Sequence, residues 1–162
     1  FWNGTSWNAV TTSFNGVNLR YVSCVDTSDC WAAGSSGGEI LYFNGASWSV
    51  QSNGHPHSLW GIDCVDLTHC WAVGTVGEIV DWTGTWNLDA QSSVVTSNNL
   101  NFVSCATIAD CWAVGNSGTF IHWNGATWSV VAISGGTTTA QVNSISQFRS
   151  GNSATSWREV FQ

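Results

Sequence analysis

Lysine and methionine are absent from this chain of 162 residues, proline occurs once, and only 8% of the residues carry charge. Arg20, Arg149 and Arg158 face ten acidic residues, for a net charge of -7. A surface that holds nucleic-acid phosphates needs clustered Lys and Arg, so a nucleic-acid partner is not expected. The same shortage argues against anionic membrane surfaces. No run of eighteen apolar residues occurs, so membrane insertion is not expected either. The chain opens on Phe1 with no signal-peptide pattern, which reads as a mature product or a fragment whose targeting segment lies elsewhere. No stretch has a 3.6-residue apolar period, so helix should be nearly absent. Aromatic residues are plentiful at 13%, with twelve Trp, on a background of Ser, Thr, Asn and Gly typical of secreted β-rich proteins. The length suffices for one domain burying about two-thirds of its unfolded surface.

Self-similarity organises the chain. LRYVSCVDTSDCWAAG from Leu19, LWGIDCVDLTHCWAVG from Leu59 and LNFVSCATIADCWAVG from Leu100 align without gaps. Their first cysteines, Cys24, Cys64 and Cys105, lie 40 and 41 residues apart, and Cys30, Cys70 and Cys111 keep the same spacing. Each unit continues with Gly, a short apolar run, an aromatic-[NT]-G turn and a Trp: GEILYFNGASW, GEIVDWTGTW and GTFIHWNGATW. A unit reads as four strands. In the first unit these are Leu19 to Val25, CWAAG after the DTSD turn, Ile40 to Phe43, and a strand around Trp48 reached through a tight Asn44-Gly45 turn. Four strands per forty residues is the blade of a β-propeller, which hides its faces against its neighbours.

The phase of the repeat bears on closure. FWNGTSWNAV at the start matches only the last hairpin of a unit, and AQVNSISQFRSGNSATSWREVFQ at the end supplies only first and second strands. The whole chain, 1–162, is therefore expected to be one all-β propeller of about four four-stranded blades. These occupy roughly 19–51, 58–90 and 99–132, with a last blade split between 140–162 and 1–10. Pairing the termini would remove an exposed sheet edge. The terminal unit lacks the cysteines, and only Trp157 aligns with Trp31, Trp71 and Trp112. Completion by a neighbouring chain, and membership of a longer propeller, remain as rivals.

The C-x5-C pairs lack both the shorter knuckle spacing and the histidines at fixed offsets of a metal site. Directly opposed residues of a hairpin are within disulfide reach, so the spacing predicts Cys24–Cys30, Cys64–Cys70 and Cys105–Cys111. Three such bonds imply an oxidising compartment, and a secreted, extracellular or cell-surface location is expected.

The segment from Cys24 to Trp31 resembles the Asp-box of sialidase-type propellers, S-x-D-x-G-x-x-W, with Asp26/Trp31 and Asp66/Trp71 at the matching offsets. Cysteine replaces the opening Ser, Ser28, Thr68 and Ala109 replace the turn Gly, and Thr107 replaces the third Asp. The resemblance implies a structural turn remote from any active site, in which Asp26 and Asp66 accept backbone N–H bonds. A sialidase-like hydrolase would also imply a tyrosine nucleophile, an acidic pair and three clamping arginines. The chain has only Tyr21 and Tyr42, three arginines in all, and no carboxylates separable as general acid and base. Glu39 and Glu78 recur at one place in two units and read as strand-edge structure. No enzymatic activity and no cofactor are expected.

Most tryptophans fall into recurring positions and are expected to pack between blades: Trp31, Trp71, Trp112 and Trp157 on the second strand, Trp7, Trp48, Trp86 and Trp128 on the fourth. Trp60 differs, because it aligns with Arg20 and Asn101. A position that varies between units is free of packing duty, and an unrepeated Trp beside variable loops suits ligand contact. Trp60, Arg20 and Asn101, with His57 from the inter-unit loop, are therefore the candidate ligand-binding residues. His55 and His57 lack a third metal ligand, so a solvated loop is the expectation there and no metal site is assigned. His69 and His122 align with unlike residues and read as incidental. Asn3-Gly4-Thr5 is a glycosylation sequon that matters only in a eukaryotic secretory host.

Two functions follow. The first is a non-catalytic extracellular recognition or adhesion module for a glycan or protein ligand, using loops on one face and gaining affinity from repeated sites. The second is a structural subunit of an extracellular fibre or surface assembly, self-associating by strand exchange through its terminal strands.

Overall fold

The computed structural model describes residues 5–7, 17–35, 37–51, 54, 56–133 and 139–146. Short β-branched and aromatic runs cut by polar turns give twelve strands: β1 Leu19–Cys24, β2 Cys30–Gly34, β3 Ile40–Phe43, β4 Trp48–Gln51, β5 Leu59–Asp66, β6 His69–Gly74, β7 Ile79–Trp82, β8 Trp86–Leu88, β9 Leu100–Thr107, β10 Asp110–Gly115, β11 Phe120–Trp123 and β12 Trp128–Val130. They form three four-stranded antiparallel meanders, β1 to β4, β5 to β8 and β9 to β12. Strand β5 lies beside both β1 and β9, so the first strand of each sheet is innermost. The chain is an all-β propeller. Helix among the described residues is confined to two 3-10 turns, Thr75–Gly77 and Asn116–Gly118.

The disulfides take the expected partners, Cys24–Cys30, Cys64–Cys70 and Cys105–Cys111. Each bridges residues directly opposed across the first hairpin, with Cα atoms 4.0 Å apart. Inside that hairpin the Asp26 Oδ1 accepts the N–H of Ser28 at 2.7 Å and of Asp29 at 2.9 Å. These bonds, the Ser28 N–H first, hold its carboxyl below the ordinary carboxylate range. Asp66 repeats the device with Thr68 N–H at 2.8 Å. There desolvation pushes the carboxyl up, and the hydrogen bonds from Thr68 and His69 together outweigh it. In the third unit the Thr107 hydroxyl accepts the Ala109 N–H at 3.2 Å.

The third hairpin, between β3 and β4, differs in detail from the tight Asn-Gly turn expected. Asn44 stands before the turn and Gly45 enters it at φ 87, a left-handed conformation suited to glycine. The Asn44 Oδ1 accepts the N–H groups of Ala46 and Ser47 at 3.1 and 3.0 Å, and Asn124 does the same at 3.0 and 3.0 Å. The short polar side chain is thus a cap for the turn, which its sequence neighbour makes.

Blades pack through part of the recurring tryptophan set; against the expectation, Trp7 is 78% exposed, and Trp48 and Trp112 stack on Phe43 and His122 of their own sheets. Trp31 of β2 meets Trp82 and Trp86 of the next sheet at ring separations of 4.6 and 5.3 Å, and Trp71 meets Trp123 and Trp128 at 4.8 and 5.3 Å. Around the first junction Ala33 and Ile40 face Leu59, Ile62, Ala72 and Val80, and the second junction repeats this with Val73, Ile79, Leu100 and Val103. Val142, beside Ile145, packs on Val114 and Phe120 of the third blade. That is the place Leu100 and Val103 hold on the second, although the described residues here form no regular strand. The rest of the fourth blade expected from the sequence, including Trp2 and Trp157, lies outside the described residues. Leu19 and Val22, equivalent to the fully buried Leu59 and Ile62, are 49% and 52% exposed.

Candidate recognition pocket

The residue that follows the leading aliphatic of each first strand borders a pocket among the inner strands. In the three units it is Arg20, Trp60 and Asn101; after Val142 it is Asn143. All four line one pocket of about 320 Å³. The variability seen along the sequence is therefore the lining of a single cavity. Arg20 lays its guanidinium over the Trp60 indole, 4.7 Å from the ring centroid. Asn101 is held by its own Nδ2, which donates to the Asn116 Oδ1 at 3.1 Å and the Val142 carbonyl at 2.8 Å.

The next position along each strand builds the wall. Tyr21 and Phe102 meet edge-to-face at 4.6 Å across the gap left by Gly61. A Cβ on Gly61 would come within 2.8 Å of the Phe102 Cα, so glycine is required for β5 and β9 to approach this closely. Burial, and then the negative charge of Asp63, push the Tyr21 phenol above its ordinary value. Asp63, on the same strand as Trp60, ties three blades together. It accepts the Ser23 hydroxyl at 2.9 Å, and the N–H groups of Cys64 at 3.0 Å and Cys105 at 2.8 Å. The Trp60 Nε1 is buried without a hydrogen-bond partner. Gln141 and Ser144 complete the lining. No signal in the sequence pointed to them or to Asn143, because the terminal unit has no cysteines to set its register.

His57 is not part of this pocket. Its Nδ1 is held by the Glu78 carboxylate, and Glu78 is only 1% exposed. Glu78 is thus a buried acid rather than the strand-edge residue expected. The pairing belongs to the repeat: two residues before the first strand, His57 and Asn98 are equivalent, and Asn98 donates to the Thr119 hydroxyl at 2.8 Å just as His57 meets Glu78. In the first unit Val17 takes that position, and the Glu39 Oε2 is buried without a partner. His57→Ala should lower stability by about 1–3 kcal/mol by stranding the Glu78 carboxylate. The pair His57→Asn with Glu78→Thr, copying the third blade, should restore most of it in a denaturant melt. Equal loss in both variants would show that the linker, not the pairing, matters. His69 and His122, read as incidental, pair with Asp66 and Asp110, each at 2.9 Å.

Successive four-stranded meanders packed with their first strands adjacent define the class as a β-propeller. No protein-family model matches the chain, and no curated protein matches it in sequence. Among solved structures, YCF48 from Cyanidioschyzon merolae is similar, with 18% identity and a TM-score of 0.64 over 80% of this chain and 45% of that one. A structure of YCF48 bound to D1 peptide gives 12% identity and a TM-score of 0.57 over 70% of this chain and 40% of that one. At such identities the likeness is one of fold alone, and this chain spans less than half the length of either neighbour.

Proposed function

We propose that this propeller is a non-catalytic recognition module working in an oxidising, extracellular or cell-surface setting, with the inner-strand pocket as its binding site for a protein or glycan ligand. The observation that carries the reading is the convergence of Arg20, Trp60, Asn101 and Asn143 in one cavity. These are the positions where the repeat stops repeating, and a scaffold does not need them to vary. The absence of enzymatic activity is part of the same proposal. The described lining offers no carboxylate, imidazole or thiol for acid, base or nucleophile chemistry. The three disulfides support the compartment. The solved YCF48 bound to a peptide fits a protein ligand, as a likeness of scaffold. The first hairpin is, on this reading, a disulfide-bearing relative of the Asp-box turn.

Peptide and glycan arrays probed with the purified chain test it. Retained ligands should be lost on Trp60→Ala with the melting temperature little changed. Arrays blank for both classes, or binding indifferent to Trp60, would overturn it. The second reading, a fibre or surface subunit completed by another chain, is favoured by the exposure of Leu19 and Val22, whose counterparts are sealed by a preceding blade. A monomeric mass at all concentrations by light scattering would rule it out.

A further inference from the structure

We infer that the pocket takes a carboxylate carried on a peptide, with Arg20 as its anchor. The inference rests on the inner-strand pocket being the recognition site. Arg20 is the only arginine among the described residues, in a protein of net charge -7 and no lysine. Yet it forms no ion pair there; the ion pairs among described residues are all made by histidines. Asp63, the carboxylate on the same strand as Trp60, is already engaged by Ser23, Cys64 and Cys105. An arginine in ion-pair contact with none of the described acidic side chains and held over an indole is restrained in position, and its N–H donors remain to meet a carboxylate bidentately.

The same stacking separates the two ligand classes. A sugar ring would want the open face of Trp60, and the guanidinium covers one face of it at 4.7 Å. The remaining lining suits a peptide instead. Asn101 spends its Nδ2 within the protein and leaves its Oδ1 as an acceptor. Gln141, Asn143 and Ser144 border the cavity and supply further amide and hydroxyl groups matched to main-chain N–H and C=O. A volume of about 320 Å³ stands at the lower end of ligand pockets, room for the end of a chain or one acidic side chain rather than a long segment.

A terminal carboxylate and an Asp or Glu side chain present the same chemistry, and the test separates them. The full chain is titrated with three dye-labelled peptides by fluorescence anisotropy: Gly-Ser-Gly-Glu-Glu with a free C-terminus, its C-terminal amide, and Gly-Ser-Gly-Gln-Gln amide. The acidic peptides should bind at least about tenfold more tightly than the uncharged one, and added salt should weaken them. Arg20→Gln should abolish that difference, and Arg20→Lys should keep only part of it, because an ammonium cannot lie flat and pair bidentately. A loss on amidation alone assigns the terminal carboxylate, and tight binding of the amidated acidic peptide assigns the side chain. Affinity within twofold for Arg20→Gln, equal binding of the uncharged peptide, no binding of any acidic peptide, or binding of trigalacturonate in their place would each overturn the inference. In all four cases the pocket reading stands if an array ligand is still lost on Trp60→Ala, and falls only if none is.

Discussion

Reducing all three disulfides should unfold this protein at ambient temperature. Each bond closes a loop of seven residues, for which the chain-entropy relation gives about 2.4 kcal/mol of stabilisation, or roughly 7 kcal/mol for three. A domain of this size is stable by only about 5–15 kcal/mol. The sulfurs are also core atoms: Cys64, Cys70, Cys105 and Cys111 are buried in the inter-blade clusters, so opening them disturbs packing as well as chain entropy. A guanidinium melt with and without reductant measures this, and the transition should fall to little or no denaturant on reduction. The pair Cys64→Ala with Cys70→Ala isolates one bond and should lower stability by about 2–4 kcal/mol. Unchanged melts in reductant would mean that the tryptophan junctions alone hold the blades.

The second large effect is at such a junction. Trp71→Ala removes a side chain that is 8% exposed and that touches both Trp123 and Trp128 across the gap between blades. Loss of a packed aromatic of this kind costs about 3–5 kcal/mol. Because this aromatic contact is a main part of the packing between the second and third sheets, melting followed by tryptophan fluorescence should also become less cooperative, with the third blade opening first. Trp60→Ala is the internal control. It deletes the same side chain from a position that is arginine or asparagine in the other units, and should shift the melt far less. Similar losses for the two variants would contradict the division of the tryptophans into packing and binding sets.

That division was legible in the sequence, and the reason is the repeat. Where Cys24, Cys64 and Cys105 align, every equivalent residue can be compared, and the recurrence found the junction residues Trp31, Trp71, Trp86 and Trp128, though it also counted Trp7, which is 78% exposed, and Trp48 and Trp112, which stack within their own sheets. Strand bounds followed for the same reason: Ile40–Phe43 lies where the apolar run and its flanking turn placed it. Comparison across units also singled out Arg20, Trp60 and Asn101, without showing that they share a cavity; that needs the first strands to be innermost, a fact of three-dimensional order. Asn143 was invisible because the terminal unit carries no cysteine to fix its register. His57 was misplaced because its role is a partnership with Glu78, remote in sequence, and the equivalent pair Asn98 and Thr119 has a different chemistry. Gln91 went unnoticed altogether, although its amide donates to the Trp128 carbonyl at 3.0 Å and ties the linker to the outermost strand of the next blade. Side-chain ties of this sort leave no periodic trace.

Asparagine already occupies the pocket position in the third unit and after Val142, so Arg20→Asn with Trp60→Asn makes the ring uniform without asking the fold to accept a new residue there. Binding of that double variant to whatever ligand the arrays retain, measured beside its melting temperature, separates scaffold from site. A pocket that recognises through its departures from the repeat gives a protein that melts as the parent does and has lost its ligand. Full retention of the ligand by the levelled ring would place recognition elsewhere on the propeller.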